Sequence, residues 1–274
     1  MRSGLDAWAR DCGWELVVEN DESHAQVAAR VHARLVELGC NPVLGPYGSD
    51  TTRAVALARR GKVVWNHGAA ADDVQRLPGV VSVSSPVSRY LVAVARAAVD
   101  LGAGRFAVLT ARGVFPQLAR EGLERAAGSL GIQLVGDPND ADCVLLCGPV
   151  EWEAKRFNDL GRRRILFGGV SPGLPAAAQV WPDGTLAPAQ WHPDLGGPEG
   201  VEDYVAAQAY AGALIAEHCL ELAPEDPLAA ARDLRTSTFF GAFELGEDGL
   251  QAGHRLAVVR WNHGRQELLL AEAA

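Results

Sequence analysis

The stretch NPVLGPYGSDTTRAVALARRGKVVWNHGAAADDV, residues 41–74, decides the fold. Its two apolar runs, NPVLGPY and KVVWNHG, have the composition of short buried strands and each ends in a loop that contains glycine. Between them, apolar side chains recur at helical spacing near Thr51–Arg60, and Ser49 or Asp50 stands where a helix cap is expected. Strand, helix and strand in this order predict parallel strands covered by helices.

The same alternation continues on both sides of this stretch. WELVVEN (14–20) and a helix near Ala25–Leu38 precede it. Helical patterns follow at about Arg89–Leu101 and Phe115–Leu130, and strands are predicted at VVSVSS, RFAVLT, IQLVG, CVLLCG and RRILFGG. The chain is therefore predicted to be an α/β protein.

The last third of the chain has a different composition. Residues 181–200 are rich in Pro, Gly and Trp and lose all periodicity, which predicts a long loop. Helices are predicted at Tyr204–Leu222 and about Leu228–Leu234. The tail then predicts strands joined by Gly-Glu-Asp-Gly and Asn-His-Gly turns.

Length and charge narrow the class of protein. A chain of 274 residues exceeds what one hydrophobic core usually serves, so two lobes are expected. The net charge of -9 opposes binding to nucleic acid or to an anionic membrane, because both require clustered positive charge. The one basic cluster, Arg162–Arg164, is interpreted as a solvated helix end. The 274 residues of the sequence contain neither an export signal nor an apolar run that could span a membrane.

The sequence offers little support for a cofactor or a metal. The five cysteines are scattered and are expected to be core thiols. His67, Asp72, Asp73, His192 and Asp194 have no recurrent ligand spacing, so no metal site is predicted. The dinucleotide and phosphate-loop fingerprints are absent from the sequence, and no cofactor is expected.

Two loops are the candidates for a binding site. Ligands of open parallel sheets bind beyond the carboxyl ends of the strands, where loops and helix N-termini present backbone N–H groups. The first loop is Gly45–Thr52, and the second is Trp65–Asp73, whose small residues let a ligand approach the backbone. An ordinary pair of strand-to-helix turns is the alternative interpretation.

Segments along nearly the whole chain resemble type I periplasmic binding proteins, the substrate-binding proteins of branched-chain amino acid and amide ABC transporters. The resemblance rests on NPVLGPYGSDTTRAVA with KVVWNHGAAADDV, on RFAVLTARGVFPQLAREGLERAAGSLGIQLVG, and on YVAAQAYAGALIAEHCLE with the closing strands, in that order. It implies two Rossmann-like lobes with parallel sheets, 1–85 with 190–243 and 86–189 with 244–274. The implied hinge has three chain crossings, near Ser84–Pro86, Ala187–Gln190 and Phe243–Gly249.

The resemblance also implies a function. It implies a protein that is not an enzyme and that binds a small carboxylate, amino-acid-like or amide ligand in an interlobe cleft, which closes by hinge motion. A transporter permease is the implied partner, and the implied location is extracytoplasmic. A cytosolic ligand sensor of the same fold is the alternative, which the absence of an export signal from these residues favours.

Several residues match positions that bind the ligand in this family. Ser49 matches the hydroxyl that binds the ligand carboxylate, Gly68 matches a backbone contact to the same group, and Phe115 matches an aromatic residue on the far side of the cleft. The full set of ligand-binding residues expected on this basis is Tyr47, Ser49, His67, Gly68, Ala69, Ala70, Phe115 and Glu151.

Three positions depart from the family pattern. Ala70 stands in place of a threonine, Pro149 in place of an aromatic residue, and Val170 in place of the carboxylate that pairs with a ligand ammonium. An ammonium buried without a carboxylate is strongly penalised, so an ordinary amino acid is disfavoured unless Glu151 or Asp72 substitutes.

The start of the chain also departs from the pattern. Family members begin with a strand in the middle of the first lobe's sheet, whereas here the helix-like LDAWARDCG comes almost at once. Without that strand, its two neighbours expose unpaired backbone groups, so the sheet must close up, recruit another segment or tolerate open edges.

An enzyme hypothesis arises from Gly169-Val170-Ser171-Pro172-Gly173, which matches the nucleophile elbow of serine hydrolases. In that elbow the residue after the serine donates its N–H to the oxyanion. Pro172 has no N–H, so Ser171 is a poor candidate for a nucleophile.

Overall fold

The computed structural model describes residues 1–59, 61–160, 165–174 and 181–271. The chain forms two units. Unit 1 contains Met1–Pro86 and Gln190–Arg255, and unit 2 contains Val87–Ala189 and the described residues from Leu256 onwards. Residues 244–255, which the predicted boundary assigns to the other lobe, lie in unit 1. The basic cluster Arg162–Arg164 lies outside the described residues.

The helices and strands of the described residues follow the predicted alternation. The helices are α1 (Arg2–Cys12), α2 (Ala25–Glu37), α3 (Ser49–Ala58), α4 (Asp72–Gln75), α5 (Tyr90–Asp100), α6 (Val114–Leu130), α7 (Val150–Leu160), α8 (Tyr204–Leu222) and α9 (Pro227–Asp233). The strands are β1 (Val64–Asn66), β2 (Val80–Ser82), β3 (Arg105–Thr110), β4 (Gln133–Val135), β5 (Cys143–Cys147), β6 (Leu166–Gly169), β7 (Leu186–Ala189), β8 (Thr236–Thr238), β9 (Gly241–Phe243), β10 (Ala257–Asn262) and β11 (Arg265–Ala271).

The parallel sheet of unit 1 is short. β1 and β2 pair in parallel, and Leu44 adds a single parallel bridge to Trp65. The predicted strand at NPVLGPY is thus reduced to that bridge, and the predicted strand WELVVEN (14–20) does not form. A strand requires a neighbour for its N–H and C=O groups, and no described segment pairs with residues 14–20.

The core of unit 1 surrounds α8. Eleven of its nineteen residues are buried, which is typical of a helix enclosed by other elements. α1 packs directly on it: a side chain at Gly4 would bring a Cβ within 2.0 Å of the Ala206 carbonyl oxygen. Trp8 of α1 is buried here and donates its indole N–H to Glu217.

Unit 2 contains a seven-stranded sheet in the order β11-β10-β7-β6-β5-β3-β4. Strands β3, β4, β5 and β6 run parallel, as predicted, and β7 joins them in parallel beside β6. The β10–β11 hairpin at the Asn-His-Gly turn also confirms the prediction. The prediction of a loop throughout residues 181–200 was wrong at Leu186–Ala189, which form the buried strand β7. Pro188 hides this strand in the sequence, because proline is rare inside sheets.

Each unit combines parallel strands with helices, which confirms the predicted α/β class. The described part of the chain contains no helix that combines the length and the apolar character needed to cross a membrane.

Candidate functional site

Two loops of unit 1 form one surface at the carboxyl ends of the strands. The backbone N–H of Ala71 donates a hydrogen bond of 3.3 Å to Ser49 Oγ, which joins the second loop to the first turn of α3. Tyr47 lies against Gly68, where an added Cβ would come within 2.7 Å of Tyr47 Cδ2. The two segments that the sequence singled out are therefore neighbours.

The first loop owes its shape to Gly48 and two threonines. Gly48 has φ of 109°, a conformation that residues with a side chain rarely adopt. Thr51 Oγ1 donates to the carbonyls of Tyr47 and Gly48 at 3.1 and 3.0 Å, and Thr52 Oγ1 donates to Pro46 at 3.2 Å. These bonds hold the chain as it enters α3.

The prediction that Ser49 or Asp50 caps α3 was wrong. The capping position is Gly48, and no side chain caps the helix. Ser49 is instead the first helical residue, so its hydroxyl is not used by the helix. The first N–H groups of α3 have no acceptor within the helix, as at any helix N-terminus.

Asn66, at the end of β1, shapes the second loop. Its Nδ2 donates to the Ala69 carbonyl at 2.8 Å and to Ser82 Oγ at 2.7 Å. Its Oδ1 accepts from the N–H groups of Gly68 at 3.2 Å and Ala69 at 2.8 Å. These two amides are thus occupied within the protein, whereas the Ala70 N–H has no acceptor among the described residues.

Gln75 supports the same loop from α4. It is fully buried, and its Nε2 donates to the carbonyls of Ala69 at 3.2 Å and Ser84 at 3.1 Å. Neither Asn66 nor Gln75 was predicted from the sequence to hold this loop. The signal for Asn66 was available, since an asparagine after a strand commonly bonds to the backbone two residues on.

The histidine of this loop lies inside unit 1. His67 is 1% exposed, and its Cβ lies 3.2 Å from the place a side chain at Gly212 would occupy. Burial lowers the pKa of His67 to about 4, so its imidazole is neutral at pH 7. Tyr47, by contrast, is 40% exposed and presents its ring at the surface.

The carboxylates next to the loops are already paired. Asp72 is buried, with its Oδ2 4.0 Å from a guanidinium nitrogen of Arg76. Asp73 forms an ion pair of 2.6 Å with Arg53. Asp72, the proposed substitute for the missing carboxylate, therefore already has a cationic partner.

In unit 2, the predicted ligand residues stand at helix starts. Phe115 is in the first turn of α6, half-buried, with its ring edge-on to Tyr90 at a centroid distance of 6.1 Å. Glu151 is exposed at the start of α7. Their roles in binding stay predictions.

A buried carboxyl group joins the loops that follow β5 and β6. Glu153 Oε1 accepts from the Gly148 N–H at 2.8 Å, and its Oε2 accepts from the Ser171 N–H at 3.0 Å. Burial raises the pKa of Glu153 to about 8, although the two amides favour the charged form and oppose the shift. Glu153 was not predicted from the sequence as a site residue.

The geometry of Ser171 does not match that of a serine nucleophile. Its side chain is buried, and its hydroxyl donates to the Gly148 carbonyl at 3.1 Å. No histidine bonds to Ser171 in the part of the chain that the structure describes. Pro172 follows it and has no N–H for an oxyanion.

The contact between the loops makes a direct prediction. Substitution of Gly68 by alanine forces a Cβ into Tyr47, and we expect a loss of about 1–2 kcal/mol in unfolding free energy, measured by urea denaturation. Gly128→Ala is the control, because a Cβ there meets nothing within 4 Å and alanine favours the helix. Equal effects of the two variants would contradict the close contact.

Comparison with known proteins adds independent information. A family model described as periplasmic binding protein matches residues 1–141. No curated protein sequence matches the chain. Several solved structures do match in fold, at identities too low to carry more than the fold.

Three of these structures illustrate the likeness. An ABC transporter substrate-binding protein from Desulfitobacterium hafniense in complex with Leu has a TM-score of 0.79 and 17% identity over 98% of this chain and 95% of that one. Leucine binding protein LivK from Thermotoga maritima has a TM-score of 0.76 and 14% identity, covering 98% and 92%. An ABC transporter solute binding protein from R. palustris in complex with benzoate has a TM-score of 0.70 and 15% identity, covering 98% and 89%.

Proposed function

Because this chain belongs to the periplasmic binding protein family, we propose that it is the non-catalytic solute-binding component of an ABC transporter and binds a small carboxylate. The membrane partner under this proposal is a transporter permease. The proposed location is outside the cytoplasm, where such a component captures its ligand.

The observation that carries the proposal is the hydrogen bond from Ala71 N–H to Ser49 Oγ. A hydroxyl that accepts one bond still has its own proton to donate. That proton, the Ala70 N–H and the first N–H groups of α3 are donors on the two loops that this bond joins. Donors to a carboxylate form charge-assisted bonds, and a helix N-terminus adds favourable electrostatics.

The charges around the loops favour one class of carboxylate. An α-amino acid also brings an ammonium group, and that group needs an anionic partner when water is excluded. Both acids beside the loops, Asp72 and Asp73, already pair with arginines. We therefore propose an organic acid without an α-ammonium group, with the ring of Tyr47 supplying apolar surface.

Calorimetric titration with benzoate, benzamide and L-leucine tests the proposal. We expect benzoate to bind at least about tenfold more tightly than benzamide, because only the acid forms charge-assisted bonds with the donors. Tighter binding of leucine would contradict the charge argument. Binding of none of the three would contradict the proposed function.

Substitution of Ser49 by alanine is expected to weaken benzoate binding about 10- to 100-fold, because a hydrogen bond to a charged group contributes about 1.5–3 kcal/mol. Ser129→Ala is the matched control. Its hydroxyl is exposed on α6, and its one partner among the described residues is the Ala126 carbonyl. If Ser49→Ala binds benzoate with unchanged affinity, the Ser49 hydroxyl does not contact the ligand. Ser129→Ala should bind as the wild type does.

A further inference from the structure

The second loop of the candidate site ends in a helix that is too short to hold its own position. Asn66 and Gln75 fix the loop at Ala69. Beyond that residue the chain enters α4, which contains only Asp72–Gln75. One helical turn has almost no stability of its own, so side-chain contacts must set where the start of α4 lies.

Two contacts link the start of α4 to α3. The Ala71 N–H, at the capping position of α4, donates to Ser49 Oγ at 3.3 Å. Two residues later, Asp73 Oδ2 accepts a hydrogen bond of 2.6 Å from Arg53 Nη2. Ser49 and Arg53 are four residues apart on α3, so they lie on the same face of that helix. The two contacts are therefore neighbouring links between the same two helices.

The ion pair is the stronger of the two links. A bond of 2.6 Å between charged groups is short, whereas the 3.3 Å bond of Ser49 is long. The side chains of Arg53 and Asp73 are only 34% and 38% exposed, so salt screens them less than it screens a fully exposed pair. Asp73 Oδ1 is buried and has no hydrogen-bond partner among the described residues, so this carboxylate depends on Arg53.

The weaker link involves the group that is proposed to bind the ligand. The Ser49 hydroxyl can donate its proton to a carboxylate while its oxygen accepts from the Ala71 N–H. If that bond is lost, the Ser49 side chain can rotate among its staggered positions, and its proton no longer has a fixed direction. The position of Ala71 therefore decides how well Ser49 is oriented.

We propose that Arg53 and Asp73 are positioning residues of the carboxylate site and act on it without contacting the ligand. Their ion pair holds α4 against α3 and so keeps the Ala71 N–H on Ser49 Oγ. The Ser49 hydroxyl is thereby directed to the carboxylate before the ligand arrives, which lowers the cost of binding. This inference rests on the proposed function, because the ligand group is the carboxylate proposed there.

Arg53→Met tests the link without a ligand. Methionine is also a good helix former, so α3 should fold as before. We expect the Ala71 N–H to exchange with solvent about tenfold faster or more, measured by NMR, because its bond to Ser49 opens more often. Arg53→Lys should keep the wild-type rate, since the single bond to Asp73 requires only a cation with one donor.

Arg120→Met is the matched control. It removes an ion pair of 2.7 Å with Glu124, which is nearly as short as the pair of Arg53. Both residues lie on α6 of unit 2, and neither belongs to the loops of the candidate site. Exchange of the Ala71 N–H and benzoate binding should both match the wild type.

Calorimetric titration with benzoate separates positioning from a general loss of structure. Arg53→Met should weaken binding about tenfold in the otherwise wild-type protein. The same substitution should cause no further loss in the Ser49→Ala background, because the ion pair acts through the Ser49 hydroxyl. A purely structural role would lower the affinity equally in both backgrounds.

Two results would overturn the proposal. One is an unchanged exchange rate of the Ala71 N–H in Arg53→Met, and the other is an equal loss of benzoate affinity with and without the Ser49 hydroxyl. A wild-type protein that does not bind benzoate would instead contradict the proposed function. The exchange rate of the Ala71 N–H would still decide whether the ion pair positions Ser49.

Discussion

Replacement of Asn66 by alanine is expected to lower the free energy of unfolding by about 3 kcal/mol. Asn66 is fully buried and makes four hydrogen bonds, two as donor and two as acceptor. Alanine leaves the Ser82 hydroxyl and the Ala69 N–H buried without this partner, and each unsatisfied buried group costs about 1–3 kcal/mol. Urea denaturation measures the loss.

The same variant is expected to weaken benzoate binding, because Asn66 shapes the loop that presents the Ala70 N–H. The chain contains its own control, since the tetrapeptide Trp-Asn-His-Gly occurs again at 261–264. Within the described parts of the chain, the side chain of Asn262 bonds only to Glu267, near the surface, so Asn262→Ala should cost less than about 1 kcal/mol. Similar losses in the two variants would show that Asn66 does not have the role assigned to it.

The stability of unit 2 is expected to fall as the pH rises from about 5 to about 8. The Glu153 carboxyl group is buried, and its pKa is raised from 4.5 to about 8 in the folded protein. Between these two values the folded state holds a proton that the unfolded chain has lost. The contribution of Glu153 to the free energy of unfolding is therefore fully present below about pH 4.5. It declines as the pH rises, until the carboxyl group of the folded protein ionises near pH 8.

The expected size of this decline is several kcal/mol, since each pKa unit corresponds to about 1.4 kcal/mol. Hydrogen exchange of the β5 amides at a series of pH values measures it within unit 2. Glu153→Gln cannot ionise and should remove the slope. Glu151→Gln, in the same helix but exposed, should retain it. An unchanged slope in Glu153→Gln would assign the pH dependence to another group.

The helices of this protein were predictable because they carry a long periodic signal. α2, α6 and α8 begin and end within a residue or so of the predicted limits. Strand formation was less predictable, because a strand depends on neighbours that are distant in sequence. WELVVEN has the composition of a strand but pairs with no strand among the described residues, whereas Leu186–Ala189 contains a proline and still pairs with β10.

The candidate site was predictable only in part, because the positions of its loops are local in sequence and the hydrogen bonds that shape them are not. The loop positions follow from the ends of strands, and the bond between Ala71 and Ser49 brings the two predicted loops together. Which backbone N–H groups of the loops remain available to a ligand depends on side chains such as Asn66 and Gln75. These side chains bond to backbone groups of the loop and, for Gln75, also to Ser84 beyond it. Sequence alone also could not separate the buried Asn66 from Asn262, since both stand in the same four letters.

The bonds from Asn66 and Gln75 have a thermodynamic consequence for the second loop. Both side chains hold its backbone in place without a ligand, so the loop loses its conformational freedom when the protein folds. A ligand that docks there immobilises little further chain, and the entropy cost of ordering this wall does not reduce its affinity. Folding thus orders this loop before the proposed carboxylate binds, and under this proposal selection among ligands depends on the placement of hydrogen-bond donors.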